Sequence, residues 1–269
     1  MSLGRAWLLL LVFLCRSLAA GEVTDPLPDI ATAYLVEIDG VQRWALAPDR
    51  RLPPASLTKL LTALLVVEGG RLDDSVRVSP SAAQETGTRI GLRTGEHWPV
   101  RALLAASLIA SANDACQALA IHLAGTASRF VSSMNRRAVE LGLTNSHFTN
   151  ACGHHAADHY SSASDLATLA KQALLHSEIA DLVALPSLRI ASEKPPRSIE
   201  LLTSNALLGR YRGVIGVKTG YTVAAGKCLI ALAEQADRRV LLVLLDAKDR
   251  WWSASDLLDL AFAAENDPR

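Results

Sequence analysis

The chain has 269 residues, of which half are apolar and a fifth are charged, and its formal net charge is zero. This composition is typical of a globular protein with a sizeable core and excludes a disordered chain. Because the charge is balanced and no basic run is interleaved with aromatic residues, the sequence argues against a nucleic-acid-binding protein.

The first twenty residues have the pattern of a secretory signal peptide. Arg5 precedes the apolar run WLLLLVFLC, and the small residues of RSLAA follow it. The run is about half as long as the roughly 20 residues that a membrane-spanning helix needs. We therefore expect residues 1–20 to be a signal peptide that is cleaved after Ala20, and the protein to be exported to the periplasm or another extracytoplasmic space. A retained anchor is the alternative.

The next segments predict a hairpin and a buried helix. Residues 32–38, TAYLVEI, and 41–47, VQRWALA, are strand-like and flank Asp39-Gly40, a dipeptide typical of tight hairpins. Apolar residues then recur at helical spacing over residues 56–68, and Gly69-Gly70 ends the helix.

The rest of the chain is helical in the middle and strand-like towards its end. Residues 99–176 are mostly helical, with Thr126 as a helix N-cap and Gly142 as a stop. Residues 213–222 predict a strand, and CLIALAEQADRRVLLVLLDA predicts a second hairpin of buried strands. An amphipathic helix over residues 251–264 follows.

Strands at both ends of the chain therefore flank a block of helices. This order predicts an α/β fold of the α+β type, in which one antiparallel sheet is flanked by helices. The helical block, roughly residues 75–180, is expected as a lobe inserted between strands of the sheet. A cleft would lie between the lobe and the sheet.

The apolar helix begins with a serine and a lysine, Ser56 and Lys59, which are neighbours because they are three residues apart. A serine hydroxyl is a poor nucleophile until a base removes its proton. A lysine can be that base when burial or neighbouring cations favour its neutral amine. Alternatively, Ser56 is an N-cap and Lys59 a surface residue, because this spacing is common by chance.

A second candidate pair, Ser111 and Asn113, lies in SANDA between two helical stretches. Residues two apart do not share a helical face, so both reach one cleft only from the connection between the helices. Ser111 would relay a proton there, and the Asn113 amide would hold a peptide carbonyl. The alternative is an ordinary helix boundary.

The third candidate is IGVKTGYT, residues 215–222, in which Gly216, Lys218 and Gly220 share one face of a strand. Such a face suits a sheet edge where another backbone approaches closely and a carboxylate needs a cation. The alternative is a tight turn with a solvated lysine.

Ser-x-x-Lys, Ser-x-Asn and Lys-Thr-Gly, in this order, resemble the signature of penicillin-binding proteins and serine β-lactamases. The chain is more specifically similar to the low-molecular-mass D-alanyl-D-alanine carboxypeptidases of the S11 peptidase family. This likeness covers about residues 28–262, in the stretches PASLTKLLTALL, SANDACQALA, ELGLTNSHFTN, HYSSASDLA and GVKTGYTVAAGKCL. It implies the transpeptidase-like fold that penicillin-binding proteins share with serine β-lactamases.

The resemblance implies a serine-type carboxypeptidase that removes the terminal D-alanine of peptidoglycan stem peptides through an acyl-enzyme on Ser56. Lys59, in its neutral form, would take the serine proton. Ser111 and a cationic Lys218 would relay a proton to the leaving amine, and the backbone N–H groups of Ser56 and Tyr221 would form the oxyanion hole.

The resemblance also implies the substrate-binding residues, which are Asn113 on the acyl side and Lys218, Thr219, Gly220 and Tyr221 around the terminal carboxylate. β-Lactams would acylate Ser56 as covalent inhibitors. The implied reaction requires no metal and no organic cofactor, and no nucleic-acid partner is expected.

The chain departs from the family in FTNACGHHAADHY, where Cys152 precedes Gly153 and His154 stands where leucine is usual. This loop should flank the cleft, so the departure bears on substrate choice. We expect His154, His155 and His159 to lie in a polar surface loop, because acidic or thiolate partners at metal-ligand spacing are lacking.

Three cysteines remain after the predicted cleavage, Cys116, Cys152 and Cys228. Their odd number in an exported protein means that at least one is free or pairs between molecules. Cys116 and Cys228 lie close in sequence to the second and third motifs and hence near the expected cleft, and we expect both to be buried and inert.

Other functions stay open at this point. Residues 21–269 are expected to form a single catalytic domain without a stable membrane anchor beyond the signal peptide, in an undetermined oligomeric state. A D,D-endopeptidase that cuts cross-links between stem peptides is the main alternative. A β-lactamase is disfavoured because Glu140, the nearest acidic candidate for deacylation, lacks the class A pattern, and intact motifs disfavour a non-catalytic peptidoglycan-binding module.

Overall fold

The computed structural model describes residues 25–264, so the predicted signal peptide lies outside the described residues. Nine strands, eight α-helices and a 3₁₀ turn are found within this range. In chain order they are β1 (Ala31–Ile38), β2 (Val41–Leu46), the 3₁₀ turn (Ala55–Thr58), α1 (Lys59–Glu68), β3 (Ser75–Arg77), α2 (Pro80–Ala83), β4 (His97–Pro99), α3 (Val100–Leu108), α4 (Asn113–Ala124), α5 (Ala127–Glu140), α6 (Ala163–Ala173), α7 (Ser177–Val183), β5 (Ser187–Ala191), β6 (Ser198–Leu202), β7 (Val214–Thr222), β8 (Gly226–Gln235), β9 (Arg238–Ala247) and α8 (Arg250–Ala263).

Five strands form one antiparallel sheet in the order β2-β1-β9-β8-β7. The first hairpin and the last three strands of the chain thus meet, because β1 pairs with β9. The predicted antiparallel sheet assembled from both ends of the chain is confirmed, and β7, which carries Lys-Thr-Gly, is an edge strand.

The sheet is covered on both faces, which explains why its central strands are apolar over most of their length. On β9, Leu242 and Leu244 face α8, whereas Val243 and Leu245 face the helices on the other side. Side chains alternate between the two faces of a strand. Where both faces are covered, successive side chains are all buried, and apolar residues are favoured at every position.

The segment inserted between β2 and β7 carries α1 to α7 and is longer than the expected lobe of residues 75–180. It also contains two small two-stranded sheets, β3-β4 and β5-β6. Helix α1 lies at its centre and is apolar on nearly its whole circumference, as expected for a helix that is packed on all sides.

Several predicted helix boundaries are confirmed. The Thr126 hydroxyl caps α5 by accepting a hydrogen bond from Arg129 N, and Gly142 follows that helix with a positive φ of 72°. Within residues 25–264, every helix is too short or too polar to cross a membrane.

Candidate active site

Ser56 lies in the 3₁₀ turn just before α1, where β7 passes close to the backbone. A Cβ placed on Gly220 of β7 would lie 3.0 Å from Pro54 O and 3.2 Å from Ser56 N. Contact this close leaves no room for a side chain, so the predicted approach of a second backbone to β7 is confirmed.

The loop before α6 approaches the same peptide group. A Cβ on Gly153 would overlap the Ala55 carbonyl and lie 2.9 Å from Ser56 N. Ala55 itself has a positive φ of 48°, which is uncommon for a residue with a side chain. The Ala55–Ser56 peptide is therefore held in a strained position by two glycine backbones, and the Ser56 side chain stays partly exposed.

Lys59 is completely buried one turn after Ser56. Its Nζ donates hydrogen bonds to Ser56 Oγ at 3.0 Å, Asn113 Oδ1 at 2.7 Å and Cys152 O at 2.6 Å. Three acceptors match the three N–H donors of an ammonium group. Each comes from a different part of the chain, so Lys59 joins the 3₁₀ turn, α4 and the loop before α6.

Asn113 is the first residue of α4, whereas Ser111 lies on the connection before it. The prediction that both occupy the connection is therefore correct for Ser111 only. Ser111 has a positive φ of 59°, and this sharp turn lets it reach the cleft. The Asn113 Nδ2 donates to Thr86 O at 2.7 Å, which fixes the amide with its oxygen towards Lys59.

Lys218 on β7 is also buried, and its Nζ donates to Ser111 Oγ at 2.9 Å and to Thr219 O at 3.1 Å. No carboxylate of residues 25–264 forms a salt bridge with it. Burial, followed by the charges of Lys59 and Arg250, holds the pKa of Lys218 well below its ordinary value.

The lowered pKa of Lys218 runs against its expected cationic state, because burial and the positive charges of Lys59 and Arg250 disfavour the ammonium form. The expected neutral state of Lys59 stays a prediction. The three acceptors of its Nζ come from segments that its own helix does not contain.

The remaining predicted residues lie on β7 and contribute in different ways. The Thr219 hydroxyl is within 2.6 Å of Ser204 Oγ. Gly220 contributes its backbone, and its carbonyl accepts a hydrogen bond from Arg250. The Tyr221 side chain is 61% exposed.

Sequence reasoning missed Arg250, at the start of α8. Its Nη1 donates to Gly220 O at 2.7 Å and to Cys228 O at 3.4 Å, and its charge acts on Lys218. The neighbouring Asp249 carboxylate caps α8 by accepting from two backbone N–H groups, and its charge acts on Arg250 without forming a salt bridge. A second positive charge that forms no salt bridge with a described acidic residue thus lies next to Lys218. No sequence motif marks Arg250.

Asp114 is a second missed residue, and its role is to position a loop. Its buried carboxylate accepts hydrogen bonds from the backbone N–H groups of Ile90, Gly91 and Leu92. This loop also brings Thr86 to the Asn113 amide. A charged residue in the first turn of an otherwise apolar helix was the available signal.

The prediction of a polar surface loop is wrong for His159, which is 2% exposed. Its Nδ1 accepts from Thr149 N at 3.0 Å, so Nε2 carries the hydrogen and donates to Thr58 Oγ1 at 2.9 Å. The Thr58 hydroxyl in turn donates to Ala55 O at 2.8 Å. This chain of hydrogen bonds fastens the loop to the turn that carries Ser56, and it requires a neutral imidazole.

His154 and His155 lie nearer the surface, as expected. The His154 Nε2 is 2.9 Å from Glu85 Oε1, so this pair links the loop before α6 to the loop after α2. All three described cysteines are free and buried.

Comparisons with known proteins agree with this geometry. The model of the S11 peptidase family, described as D-alanyl-D-alanine carboxypeptidase, matches residues 41–249. The chain is 37% identical to D-alanyl-D-alanine carboxypeptidase DacF of Bacillus subtilis over 241 residues, 86% of this chain and 62% of that protein. It is 32% identical to DacB2 of Mycobacterium tuberculosis, over 91% of this chain and 86% of that one. The chain therefore spans less than two thirds of the Bacillus relative.

Solved structures show the same fold. The Streptomyces K15 DD-transpeptidase superposes with a TM-score of 0.84 and 27% identity, covering 90% of this chain and all of that one. A D-alanyl-D-alanine carboxypeptidase from Mycobacterium tuberculosis gives a TM-score of 0.83 and 29% identity, covering 92% and 96%. The predicted transpeptidase-like fold is confirmed.

The glycine contact at Ser56 predicts different costs for two glycine-to-alanine substitutions. Both Gly142 and Gly153 have a positive φ, but a Cβ on Gly142 would meet no atom within 4 Å. Gly142→Ala should lower the free energy of unfolding by about 1–2 kcal/mol from backbone strain alone. Gly153→Ala should cost about 2–5 kcal/mol, because overpacking is added. Urea denaturation measures both, and equal losses would contradict the contact.

The neutral His159 predicts a loss of stability in acid. Burial, followed by the nearby His147, His154 and His155, lowers its pKa from 6.5 to about 4. The unfolded chain therefore binds more protons between these values, so stability is complete above pH 6.5 and is lost as pH falls towards 4. The loss should reach about 3 kcal/mol.

Urea denaturation of His159→Gln at several pH values tests this prediction, with exposed His155→Gln as the control. The His159 variant should lose the corresponding part of the pH dependence, and the control should keep it. An unchanged slope in His159→Gln would refute the assignment.

Proposed function

Because the chain belongs to the S11 family of D-alanyl-D-alanine carboxypeptidases, we propose that it removes the terminal D-alanine of peptidoglycan stem peptides by serine catalysis. One observation carries the proposal. Ser56 is hydrogen-bonded to the buried Lys59. A second lysine–serine pair, Lys218 and Ser111, lies close enough for the charge of Lys59 to act on Lys218.

In the proposed reaction, Ser56 Oγ attacks the carbonyl carbon between the two D-alanines while a neutral Lys59 takes its proton. Negative charge develops on the carbonyl oxygen, and the backbone N–H groups of Ser56 and Tyr221 stabilise it. The close contact between Gly220, the residue before Tyr221, and the Ser56 backbone supports this assignment.

The peptide bond then breaks as its nitrogen receives a proton from the Ser111 hydroxyl. Lys218 in turn donates a proton to Ser111. The terminal carboxylate lies beside the Thr219 hydroxyl and the positive charges of Lys218 and Arg250, neither of which forms a salt bridge with a described acidic residue. The acyl portion is held by the Asn113 amide, and water releases it from Ser56. β-Lactams acylate the same oxygen.

Substrate binding explains how Lys59 becomes a base. A carboxylate next to Lys218 favours its charged form and raises its pKa. The resulting positive charge repels the charge on Lys59 and favours the neutral amine. Substrate binding therefore prepares the base that deprotonates Ser56, in a site where low dielectric strengthens these interactions.

The N-terminal signal-like pattern supports export of the enzyme to the compartment that contains peptidoglycan. Carboxypeptidase and endopeptidase activities share the acylation chemistry, so products must distinguish them.

Incubation of the protein with purified muropeptides, followed by mass spectrometry, tests the proposed function. Pentapeptides should lose one alanine. Ser56→Ala should reduce this rate by roughly four orders of magnitude or more and abolish labelling by a fluorescent penicillin. Conversion of cross-linked dimers to monomers, with pentapeptides intact, would instead establish an endopeptidase. Covalent labelling of the variant would show that another residue is the nucleophile.

The Lys218→Arg variant tests the proton relay. Arginine keeps the charge but does not give up its proton, so kcat/KM should fall by about two orders of magnitude. In the wild type, kcat/KM should also decline as pH rises through the lowered pKa of Lys218, because the cation that binds carboxylate is lost.

This alkaline decline should be absent in Lys218→Arg, whereas Lys227→Arg, at an exposed position on β8, should behave like the wild type. Lys59, Arg250 and Cys116 are the charged or titratable groups that act on Lys218. An identical alkaline decline in the Lys218 variant would disprove the role.

A further inference from the structure

Two thiols that the proposed reaction does not use lie side by side next to Lys59. Cys116 Sγ on α4 is 3.2 Å from Ala151 O, and Cys152 Sγ is 3.5 Å from Asn113 O. Cys116 Sγ thus contacts the residue that precedes Cys152, and Cys152 Sγ contacts a carbonyl three residues before Cys116, on the same helix. Both residues are free and almost completely buried.

The pair is connected directly to the base. The Cys152 carbonyl accepts a hydrogen bond from Lys59 Nζ at 2.6 Å, and the charge of Lys59 acts on both thiols. The residue after Cys152 is Gly153, which packs on the Ala55–Ser56 peptide. A change in the position of Cys152 therefore reaches both Ser56 and Lys59.

The third cysteine provides an internal comparison. Cys228 Sγ on β8 lies near two backbone carbonyls, Ala225 O at 3.4 Å and Pro53 O at 3.9 Å. Burial raises its pKa to about 11. It has no thiol partner among the described residues, so it lacks the geometry for an intramolecular disulfide.

We propose that Cys116 and Cys152 are a redox pair whose disulfide form slows acylation of Ser56, an inference that rests on the function proposed above. A disulfide requires a bond of about 2.05 Å, much shorter than any non-bonded contact between two sulfur atoms. Cys116 is fixed within a helix, so the loop at Cys152 must move. That movement weakens the hydrogen bond to Lys59 and shifts Gly153 against the Ser56 turn.

The oxidant is hydrogen peroxide, a small molecule that suits thiols this deeply buried. Cys116 sulfur attacks one oxygen of hydrogen peroxide, the O–O bond breaks, and the first water leaves after protonation. Cys152 sulfur then attacks the Cys116 sulfenic acid, the S–O bond breaks, and the second water leaves. The two thiols lose two electrons and two protons, and the peroxide is reduced to water.

Cys116 is the first to react. Burial raises its pKa, but the neighbouring Cys152 thiol and the charge of Lys59 outweigh burial and leave the pKa below its ordinary value. Burial and the neighbouring Cys116 raise the pKa of Cys152 well above its ordinary value. The thiolate is the reactive form, so the environment distinguishes the attacking thiol from the resolving one.

The test compares reduced and peroxide-treated full-length protein by intact mass, non-reducing peptide mapping and the rate of acylation by a fluorescent penicillin. We expect a loss of two hydrogens located to a Cys116–Cys152 disulfide, and an acylation rate at least tenfold lower. Reduction should restore both. Cys228→Ser should respond in the same way as the wild type.

Each variant is compared with its own reduced form. Cys116→Ser and Cys152→Ser should show neither the disulfide nor a slowing of acylation that reductant reverses. Peroxide treatment that gives only added oxygen, or a disulfide without a change in rate, would overturn the proposal. Absence of labelling in the reduced wild type would refute the proposed function instead, whereas the mass measurement would still report on the thiol pair.

Discussion

The site depends on one buried lysine, Lys59. Moving a lysine into a protein interior is costly unless its N–H donors are satisfied, and the usual solution is a carboxylate partner. Lys59 instead uses a hydroxyl, an amide oxygen and a backbone carbonyl, all neutral. Each acceptor comes from a different segment, so the need to satisfy the N–H donors of Lys59 sets the positions of all three segments. The same hydrogen bonds place the Ser56 hydroxyl against the group that is proposed to deprotonate it.

A second constraint acts on the backbone. The Ala55–Ser56 peptide lies against Gly153 of the inserted segment and Gly220 of the sheet edge, so the two parts of the molecule meet at the nucleophile. Positive φ angles at Ala55 and Ser111 store strain on the two motifs that face the cleft. Extensive contacts on both sides hold these conformations, and the hydrogen bonds from His159 through Thr58 to Ala55 O add a further tie.

Positive charge is in excess at the site, and this favours an anionic ligand. Lys218 and Arg250 lie together at the edge strand, and neither forms a salt bridge with a described acidic residue. Asp114, the nearby buried acid of the second motif, is fully engaged by backbone N–H groups and does not neutralise them. A substrate carboxylate would satisfy both cations, close to Lys59, the base of the proposed reaction.

The sequence by itself determined the local features of this protein. Hairpins, caps and the alternation of buried strands depend on residues that are close along the chain, and the three-residue spacing of Ser56 and Lys59 places them together on any helix. The tertiary structure decided the contacts that close long loops. Lys218 reaches Ser111 across 107 residues, and His159 reaches Thr58 across 101. Burial of His159, the place of Arg250 beside Gly220 and the pairing of Cys116 with Cys152 follow from the same packing. The local sequence pattern does not predict these contacts, because the helix, strand and turn preferences of each partner are satisfied equally well without the other.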